Sequence, residues 1–312
     1  MPKQTAAGNP GDRTVPKPAW LKRPIAGGDR YAWIKRRARE LDLHTVCEEA
    51  RCPNIGECWQ GGTATFMLLG DTCTRGCRFC AIKTSRRPRP PDPAEPAKIA
   101  DTIAALRLDY AVLTTVDRDD LPDQGAGHIA ATIRCVRATC PDLLLEVLIG
   151  DFRGDRALIA QIIAAEPAVL AHNLETVERL TPSVRDPRAS YQQSLAVLAY
   201  SKEAAPTLAS KSSLMLGLGE TEHEVLAAMR DLRAAGVDFL TLGQYLQPDA
   251  PKLPVQRYVP PQEYAALAEA GLAMGFRYVA AGPLVRSSYR AAEYWLAQAV
   301  RGDGRVDSPR PR

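Results

Sequence analysis

The fold is decided by residues 63–80, which read TATFMLLGDTCTRGCRFC. Its apolar half predicts a buried strand at Thr65–Leu69, and the chain then enters a loop with three closely spaced cysteines. Similar apolar segments recur downstream and alternate with helical patterns, which indicates parallel β-α-β units. The other predicted strands are Tyr110–Thr115, Leu143–Ile149, Ala168–Ala171, Lys211–Leu216, Phe239–Leu242 and Tyr278–Ala280. The predicted helices between them are Ile99–Leu106, Ile129–Arg137, Ala157–Ala165, Tyr191–Tyr200, Glu222–Ala235 and Pro261–Met274.

Six or seven such units in succession favour an α/β fold of the partial (β/α)6 TIM-barrel type, with a doubly wound open sheet as the alternative. We expect the barrel at residues 63–281, an N-terminal extension at 20–62 and a C-terminal extension at 282–300. A short helix is predicted at Trp33–Leu43 within the first extension. The two ends, residues 1–19 and 301–312, are polar and contain Pro and Gly, so they are predicted to be disordered.

The composition excludes several classes of protein. The 312 residues are 46% hydrophobic, which is enough for a large core, but no apolar run is long enough for a membrane span or a secretory signal. We therefore expect a cytoplasmic protein. The net charge of +4 is small, and the basic clusters at Lys35–Arg39 and Arg86–Arg89 are expected to be solvated or to attract an acidic protein partner. No nucleic-acid-binding motif is present.

The first cysteine trio has the pattern C-x3-C-x2-C and comprises Cys73, Cys77 and Cys80. It follows the first predicted strand directly, where a barrel of this type places its functional groups. Three thiolates on one loop can bind three irons of a cubane cluster and leave the fourth iron open to the amino and carboxylate groups of a small molecule. The alternatives are reduced structural thiols or zinc, but structural zinc prefers four closed ligands.

A second trio, Cys47, Cys52 and Cys58, lies upstream with the pattern C-x4-C-x5-C. Thiolates select iron–sulfur clusters or zinc over hard metal ions. The spacing alone is less specific here than in the first trio, so a zinc clip or free thiols remain open alternatives.

At Cys73–Cys80 the sequence resembles the radical S-adenosylmethionine superfamily, and over about residues 17–293 it resembles the lipoyl synthase family. Biotin synthases share the first trio but are not expected to carry the second trio or the Arg-Ser-Ser-Tyr motif. The motifs that carry the wider resemblance are Cys47–Trp59, Gly70–Cys80, HNLET at 172–176, LGLGET at 216–221, GQYLQP at 243–248, RYV at 257–259 and GPLVRSSY at 282–289.

The resemblance implies a definite chemistry. The first trio would hold a [4Fe–4S] cluster that chelates S-adenosylmethionine and reduces it to methionine and a 5′-deoxyadenosyl radical. The radical would activate C6 and C8 of an octanoyl chain on a lysine of a carrier domain, from the E2 subunit of a 2-oxoacid dehydrogenase or the H protein of the glycine cleavage system. Two S-adenosylmethionine molecules would be consumed per lipoyl group. A ferredoxin or flavodoxin electron donor and an iron–sulfur carrier protein for cluster repair are further implied partners.

The resemblance also assigns the sulfur source. The second trio would hold an auxiliary [4Fe–4S] cluster that is sacrificed, with Ser288 as fourth ligand and Ser287 as the second choice. A serine oxygen is a poorer ligand for iron than a thiolate, so that corner of the cluster would open more easily. Taken alone, the two serines equally fit an N-cap of a helix predicted at Tyr289–Gln298. The extensions that carry these ligands are expected to close over the barrel mouth.

Several side chains are predicted to contact the cofactor. Asn173 and Glu175 match a pattern that holds the ribose hydroxyls in related radical enzymes, with a helix N-cap as the alternative for Asn173. Arg185 would pair with a carboxylate of the cofactor or the carrier, or else be an exposed ion-pair residue. Thr115, at the end of the second strand, is a further predicted contact. The charged run Asp117–Asp120 borders the cofactor in the family, but we expect at least two of its four side chains to be solvated.

Three positions depart from the family pattern without removing a cluster ligand. Ser213 and Gln124 stand where glycine is usual, which is expected to alter loop geometry, and Lys252 stands where histidine is common. The four histidines show no ligand spacing and are expected to be structural. Two other functions remain as alternatives: a radical sulfur-inserting enzyme with a different substrate, and a non-catalytic iron–sulfur protein. A chain of barrel length argues against the second of these.

Overall fold

The computed structural model describes residues 16–21, 27–49, 52–60, 63–108 and 110–288. The predictions for the tail at residues 1–15, for the helix Tyr289–Gln298 and for the tail at 301–312 lie outside these residues. Within them, no helix is both long and apolar enough to cross a bilayer.

Short elements precede the main sheet. After a 3-10 turn at Ala19–Leu21 come α1 (Asp29–Glu40), β1 (His44–Thr45), α2 (Val46–Glu49) and α3 (Ile55–Gln60). The predicted helix Trp33–Leu43 is α1, displaced towards the N-terminus.

The end of α1 is set by Asp42, whose φ is 53°. This left-handed conformation lets the backbone N–H of Leu43 donate to the carbonyl oxygen of Ala38 at 2.8 Å, which closes the helix. The fully buried Trp59 of α3 packs against the ring of Tyr31 in α1, with centroids 5.1 Å apart. The two helices of the N-terminal extension are therefore held together by aromatic burial.

The rest of the described chain alternates strands and helices. The strands are β2 (Thr63–Leu68), β3 (Thr72–Cys73), β4 (Lys83–Thr84), β5 (Tyr110–Thr115), β6 (Leu144–Leu148), β7 (Val169–Ala171), β8 (Ala209–Leu216), β9 (Phe239–Gln244) and β10 (Tyr278–Gly282). The helices are α4 (Glu95–Leu106), α5 (Ala126–Thr139), α6 (Arg156–Ile163), α7 (Thr181–Val184), α8 (Tyr191–Ala204), α9 (Glu222–Ala234) and α10 (Pro261–Ala273). All seven predicted strands and all six predicted helices are present, with small shifts at their ends.

The main sheet has the order β1-β2-β5-β6-β7-β8-β9-β10. From β2 to β10 every neighbouring pair is parallel and follows the chain order, with at least one helix between the two strands of each pair. This sequential order confirms the partial (β/α)6 barrel, which a seventh parallel strand extends. The doubly wound alternative is wrong, because its strand order would reverse at a switch point. The structure adds the antiparallel edge strand β1 and the small β3–β4 ladder, which are too short to show a period of their own.

Side-chain caps explain where three of the helices begin. Thr221 accepts from the backbone N–H of Glu224, whose carboxylate accepts from the N–H of Thr221, and this capping box starts α9. Ser190 caps α8 and Asp155 caps α6 in the same manner, each by accepting from backbone N–H groups of the first turn. The caps satisfy donors that would otherwise be unpaired at the helix starts.

The barrel interior contains a buried ion pair away from the strand carboxyl ends. Glu146 of β6 and Lys211 of β8 each have 1% of the side chain exposed, and Nζ of Lys211 lies 2.7 Å from a carboxylate oxygen of Glu146. The hydroxyl of Tyr110 also donates to this carboxylate. Removal of one partner would leave the other charge buried and unpaired.

We expect Glu146→Leu to lower the free energy of unfolding by about 3–5 kcal/mol, because Lys211 loses its counter-charge inside the barrel. The double variant Glu146→Leu/Lys211→Met should recover most of that loss. Equilibrium urea unfolding measures both, with Glu166→Gln as the control, since the Glu166–Arg137 pair is largely exposed. If Glu146→Leu lowered the free energy of unfolding as little as Glu166→Gln does, the stabilising role of the buried ion pair would be contradicted.

Candidate active site

A cavity of about 570 Å³ opens at the carboxyl ends of the parallel strands. Residues of both extensions contribute to its wall beside the barrel loops, including Leu21 and Arg286, and so does Lys17 of the N-terminal tail. This is the position that the barrel fold predicts for functional groups. The sequence-predicted site residues on its wall are Cys73, Cys77, Cys80, Thr115, Asn173, Glu175, Arg185 and Ser287.

The first trio occupies one side of the cavity. The backbone N–H of Arg75 donates to Sγ of Cys73 at 3.4 Å, and the N–H of Asp186 donates to Sγ of Cys77 at 3.3 Å. Burial raises the pKa of Cys73 and of Cys77 to about 12, so the bare thiols are protonated at neutral pH. Peptide N–H groups that donate to sulfur suit thiolates that carry negative charge on a cluster.

The fit of this trio to an iron–sulfur cluster follows from its arrangement. Among the residues that the structure describes, no three His, Cys, Asp or Glu side chains converge on a position for a single metal ion. A cubane presents a different iron to each thiolate, so its ligands need no common point. Three free thiols on the Cys73–Cys80 loop, all facing one cavity, match that requirement.

Ion pairs hold the cysteine loop on the barrel. Arg75, only 4% exposed, donates to Asp119 at 3.0 Å through both Nε and Nη2 and to Asp151 at 2.7 Å. Asp186 accepts from the backbone N–H of Gly76 at 2.8 Å. Because Arg75 and Gly76 stand between Cys73 and Cys77, these contacts set the spacing of the trio.

The charged run after β5 differs from the expectation of solvated side chains. Arg118 is 2% exposed and pairs with Asp120 at 2.8 Å, while the Asp119 side chain is 4% exposed and pairs with Arg75. Asp117 faces the cavity 3.9 Å from Sγ of Cys73, and burial raises its pKa to about 6. The side chains of Asp117 and Asp120 are 26% and 25% exposed, so two of the four are only partly solvated and the other two are buried in ion pairs. Arginines from elsewhere in the chain supply the partners that the local sequence does not show.

Asn173 and Glu175 follow β7 and face the cavity. The φ of Glu175 is 71°, a left-handed conformation that is strained for this residue type, and its backbone bonds to both Ser213 and Met215 of β8 hold it there. Burial raises the pKa of Glu175, while the charge of Arg185 and a hydrogen bond from Asn173 oppose that shift. The N-cap alternative for Asn173 is wrong, because the next helical turn begins at Glu178.

Arg185 is a cavity-lining residue whose guanidinium is only partly hydrogen-bonded. It is 8% exposed, Nη1 donates to Oγ of Ser194 at 2.7 Å, and Nε has no hydrogen-bond partner in the part of the chain that is described. The alternative of an exposed ion-pair residue is therefore wrong. A buried guanidinium with free donors is suited to a carboxylate ligand. Thr115, half-buried at the end of β5, lies on the same wall.

The second trio lies in the N-terminal extension. Cys47 in α2 and Cys58 in α3 are buried, whereas Cys52 between them is half-buried. Burial, aided by the charge of Cys52, raises the pKa of Cys47 to about 12. Among the described residues Cys47 and Cys52 are free thiols.

The C-terminal extension is joined to the second trio. Nδ2 of Asn54, between Cys52 and Cys58, donates to the carbonyl oxygen of Leu284 at 2.7 Å. Burial raises the pKa of Cys52, and the backbone N–H of Asn54 and the positive charge of Arg286 oppose that shift. The structure thus brings residues 284–286 close to the second trio. Ser287 lines the cavity, and Ser288, the last residue described, is half-buried.

Sequence reasoning missed some of the site. His172, expected to be merely structural, lines the cavity and bonds to Ser194, a residue that no motif singled out. Lys252 donates from Nζ to the carbonyl oxygen of Cys77 at 3.4 Å and so contacts the first trio's loop. Gln124 adopts a φ of 49°, which explains why glycine suits that position, and the loop keeps this left-handed conformation. The pairs His172–Ser194 and Lys252–Cys77 are far apart in sequence, so only the tertiary structure shows that they are in contact.

The fold and the cavity with its cysteine loop define a radical S-adenosylmethionine enzyme. Residues 67–232 match the family model of the Radical SAM superfamily, and residues 7–52 match that of the N-terminal domain of lipoyl synthase of the Radical SAM family. The crystal structure of methylornithine synthase shares the fold with a TM-score of 0.53 at 12% identity, over 87% of this chain and 92% of that chain.

Two relatives are similar over nearly their whole length. The chain is 60% identical to a lipoyl synthase of Anaeromyxobacter sp. (strain Fw109-5), over 91% of this chain and 96% of that protein. It is 57% identical to a lipoyl synthase of Thermus thermophilus, over 91% of this chain and 88% of that protein. The chain belongs to the lipoyl synthase family, and the family resemblance inferred from its motifs is confirmed.

We expect Gly243→Ala to displace the C-terminal segment, because a Cβ on Gly243 would lie 2.1 Å from the carbonyl oxygen of Val285. Hydrogen–deuterium exchange read by mass spectrometry should then be faster at residues 284–288. The control is Gly282→Ala, at the register partner on β10, where the new Cβ meets only a methyl group of Val285 at 3.3 Å. Equal exchange in the two variants would show that Gly243 does not seat this segment.

Proposed function

We propose that this chain inserts two sulfur atoms, at C6 and C8, into an octanoyl chain that is amide-linked to a lysine of a carrier domain. The carrier would be a domain of a 2-oxoacid dehydrogenase E2 subunit or the H protein of the glycine cleavage system. One observation carries the proposal: the hydrogen bond from Asn54 to Leu284 joins the second trio to a segment that lines the same cavity as the first trio. Sulfur insertion by a radical requires the radical source and the sulfur source to share one cavity.

The first trio would hold a [4Fe–4S] cluster, with S-adenosylmethionine on the iron that lacks a protein ligand. When bound, this pair supplies the one-electron cleavage that yields a 5′-deoxyadenosyl radical. Arg185 binds the methionyl carboxylate with its free guanidinium donors. Asn173 and Glu175 receive the ribose hydroxyls, and Thr115 provides a further polar contact on the same wall.

The second trio and one serine would hold the auxiliary [4Fe–4S] cluster that serves as the sulfur source. Ser288 is the proposed fourth ligand, with Ser287 as the second choice. Arg286, half-buried and close enough to Cys52 for its charge to act on the thiol, offsets the negative charge of the thiolates. Asn54 holds the serine segment close to the trio through Leu284.

The cavity wall also fits the substrate. Its apolar part includes Leu21, Val46, Met67 and Leu148, which suits an octanoyl chain and excludes water from a carbon radical. The segment Arg86–Arg89 follows Thr84 of the wall and carries exposed arginines, which would attract an acidic carrier. A ferredoxin or flavodoxin would deliver electrons, and an iron–sulfur carrier protein would rebuild the consumed cluster. We propose that the enzyme works in the cytoplasm.

The proposal is tested by anaerobic reconstitution with iron and sulfide, followed by addition of reductant, S-adenosylmethionine and an octanoyl-lysine peptide. Mass spectrometry should detect 5′-deoxyadenosine together with peptide that has gained two sulfur atoms. Deoxyadenosine without thiolated peptide would favour a radical sulfur-inserting enzyme with another substrate. Absence of deoxyadenosine would favour a non-catalytic iron–sulfur protein and overturn the proposal.

Two cysteine variants separate the roles of the trios in that assay. Cys77→Ser should abolish deoxyadenosine, because it removes a ligand of the first cluster. Cys52→Ser should lower bound iron and sulfide towards about half while deoxyadenosine is still formed and thiolated peptide is lost. Cys135→Ser, outside both trios, is the matched control and should keep iron, deoxyadenosine and product. Loss of deoxyadenosine in Cys52→Ser equal to that in Cys77→Ser would contradict two separate clusters.

The fourth ligand is tested with two neighbouring variants. We expect Ser288→Ala to lose thiolated product by at least tenfold while deoxyadenosine persists, because the auxiliary cluster loses its oxygen ligand. Ser287→Ala should keep most of the product. Mössbauer spectroscopy of the as-isolated protein would report a changed iron site in the first variant alone. The reverse pattern would assign the ligand to Ser287.

A further inference from the structure

We propose that Ser194 and His172 are positioning residues that orient the guanidinium of Arg185 for the carboxylate of S-adenosylmethionine. The inference rests on the proposed function, since it takes that cofactor as the ligand of the cavity. It assigns a role to two buried residues that lie outside the cysteine motifs, one on helix α8 and one directly after strand β7.

A line of three hydrogen bonds leads from the end of β6 to Arg185. Nδ1 of His172 lies 2.9 Å from the carbonyl oxygen of Ile149, and Nε2 lies 2.9 Å from Oγ of Ser194. Nη1 of Arg185 donates to the same Oγ at 2.7 Å. His172 is 3% exposed, Ser194 0% and Arg185 8%, so solvent does not replace these contacts.

The direction of each hydrogen bond is determined by chemistry. A carbonyl oxygen only accepts, so Nδ1 of His172 must carry the proton. Burial, aided by the charge of Arg185, lowers the pKa of His172 to about 4, so the ring is neutral at pH 7 and Nε2 accepts. The Ser194 hydroxyl therefore donates to His172, which leaves its lone pairs to accept from Arg185. If the Ser194 hydroxyl instead pointed its hydrogen at Arg185, that hydrogen would face an N–H hydrogen of the guanidinium.

The contact with Ser194 matters because it is the side-chain hydrogen bond that the described residues give this guanidinium, while the charges of Glu175 and Asp117 act on it only from beyond ion-pair distance. Nε of Arg185 has no partner, and in the described part of the chain no carboxylate lies within ion-pair distance of this side chain. The backbone of Arg185 is placed beside the first trio, since the next residue, Asp186, donates from its N–H to Sγ of Cys77. Ser194 thus selects one orientation of a guanidinium that belongs to the cavity wall.

If Ser194 positions Arg185, its removal should lower the affinity only for ligands that carry a carboxylate. Without the Ser194 hydroxyl the guanidinium can rotate, and a ligand carboxylate must order it on binding. A ligand that lacks the carboxylate should bind the variant with unchanged affinity. A merely structural role for Ser194 would instead affect every ligand of the cavity alike.

The test measures equilibrium binding to the anaerobically reconstituted full-length protein by isothermal titration calorimetry. The ligands are S-adenosylmethionine and decarboxylated S-adenosylmethionine. Ser194→Ala should raise Kd for the first ligand by about tenfold, equivalent to one lost hydrogen bond of about 1.4 kcal/mol, and leave Kd for the second within about twofold. Ser201→Ala is the matched control, because Ser201 is equally buried on α8 but its hydroxyl donates only to Val197 of the same helix.

A second variant protects the test against misfolding. His172→Asn keeps a donor near Ile149 and removes the acceptor for Ser194, so it should show the same carboxylate-dependent loss with a smaller magnitude. The double variant with Ser194→Ala should lose no more than Ser194→Ala alone, because both residues act through Arg185.

The outcomes separate this inference from the proposed function. Equal weakening of both ligands in Ser194→Ala and His172→Asn, or no weakening in either variant, overturns the positioning role while the proposed function stands. Failure of the unmodified protein to bind S-adenosylmethionine overturns the proposed function, and the inference with it. A loss confined to the carboxylate-bearing ligand supports both.

Discussion

The active site depends on the placement of Arg75, a buried cation between two cysteines of the first trio. Its guanidinium reaches Asp119 after β5 and Asp151 after β6, at 3.0 and 2.7 Å. These two contacts attach the cysteine loop to neighbouring strand ends, and they lower the pKa of both carboxyl groups despite burial. A loop that must present three thiols to one cluster cannot be loose, and a buried, fully paired arginine provides that rigidity.

A second constraint is that both extensions converge on the barrel mouth. Gly243 allows the chain at Val285 to approach the end of β9, and Asn54 then bonds to Leu284. Through these contacts the segment that carries Ser287 becomes part of the cavity wall beside Cys73. The joint cavity supports the proposed sulfur insertion, because in that proposal a carbon radical must meet its sulfur donor without exposure to solvent.

The local sequence pattern predicted the strands and helices of the barrel well, but it did not predict the ion pairs of its loops. Strand β5 was predicted with the same bounds that the structure has, since six consecutive residues of a buried parallel strand read as one apolar run. The short strands β1, β3 and β4 were not predicted, because two residues show no periodicity. The run Asp117–Asp120 was expected to be a solvated turn. Asp119 is instead buried in an ion pair with Arg75, which lies 44 residues away in the chain. Charge pairing over such separations is decided by the packing of strands, which no local window reports.

The sequence by itself determined the chemistry that is available: two trios of soft ligands, a serine pair near the C-terminus and a repeated β-α pattern whose strand ends must share an edge. These follow from residue identity and spacing alone, which suffice for ligand type and for secondary-structure period. Only the tertiary structure decided that His172 and Ser194 stand behind Arg185, that Asp119 is paired and that Asn54 meets Leu284. The physical reason is that hydrogen bonds and ion pairs act over about 3 Å, so their partners are known only when distant segments have been packed together.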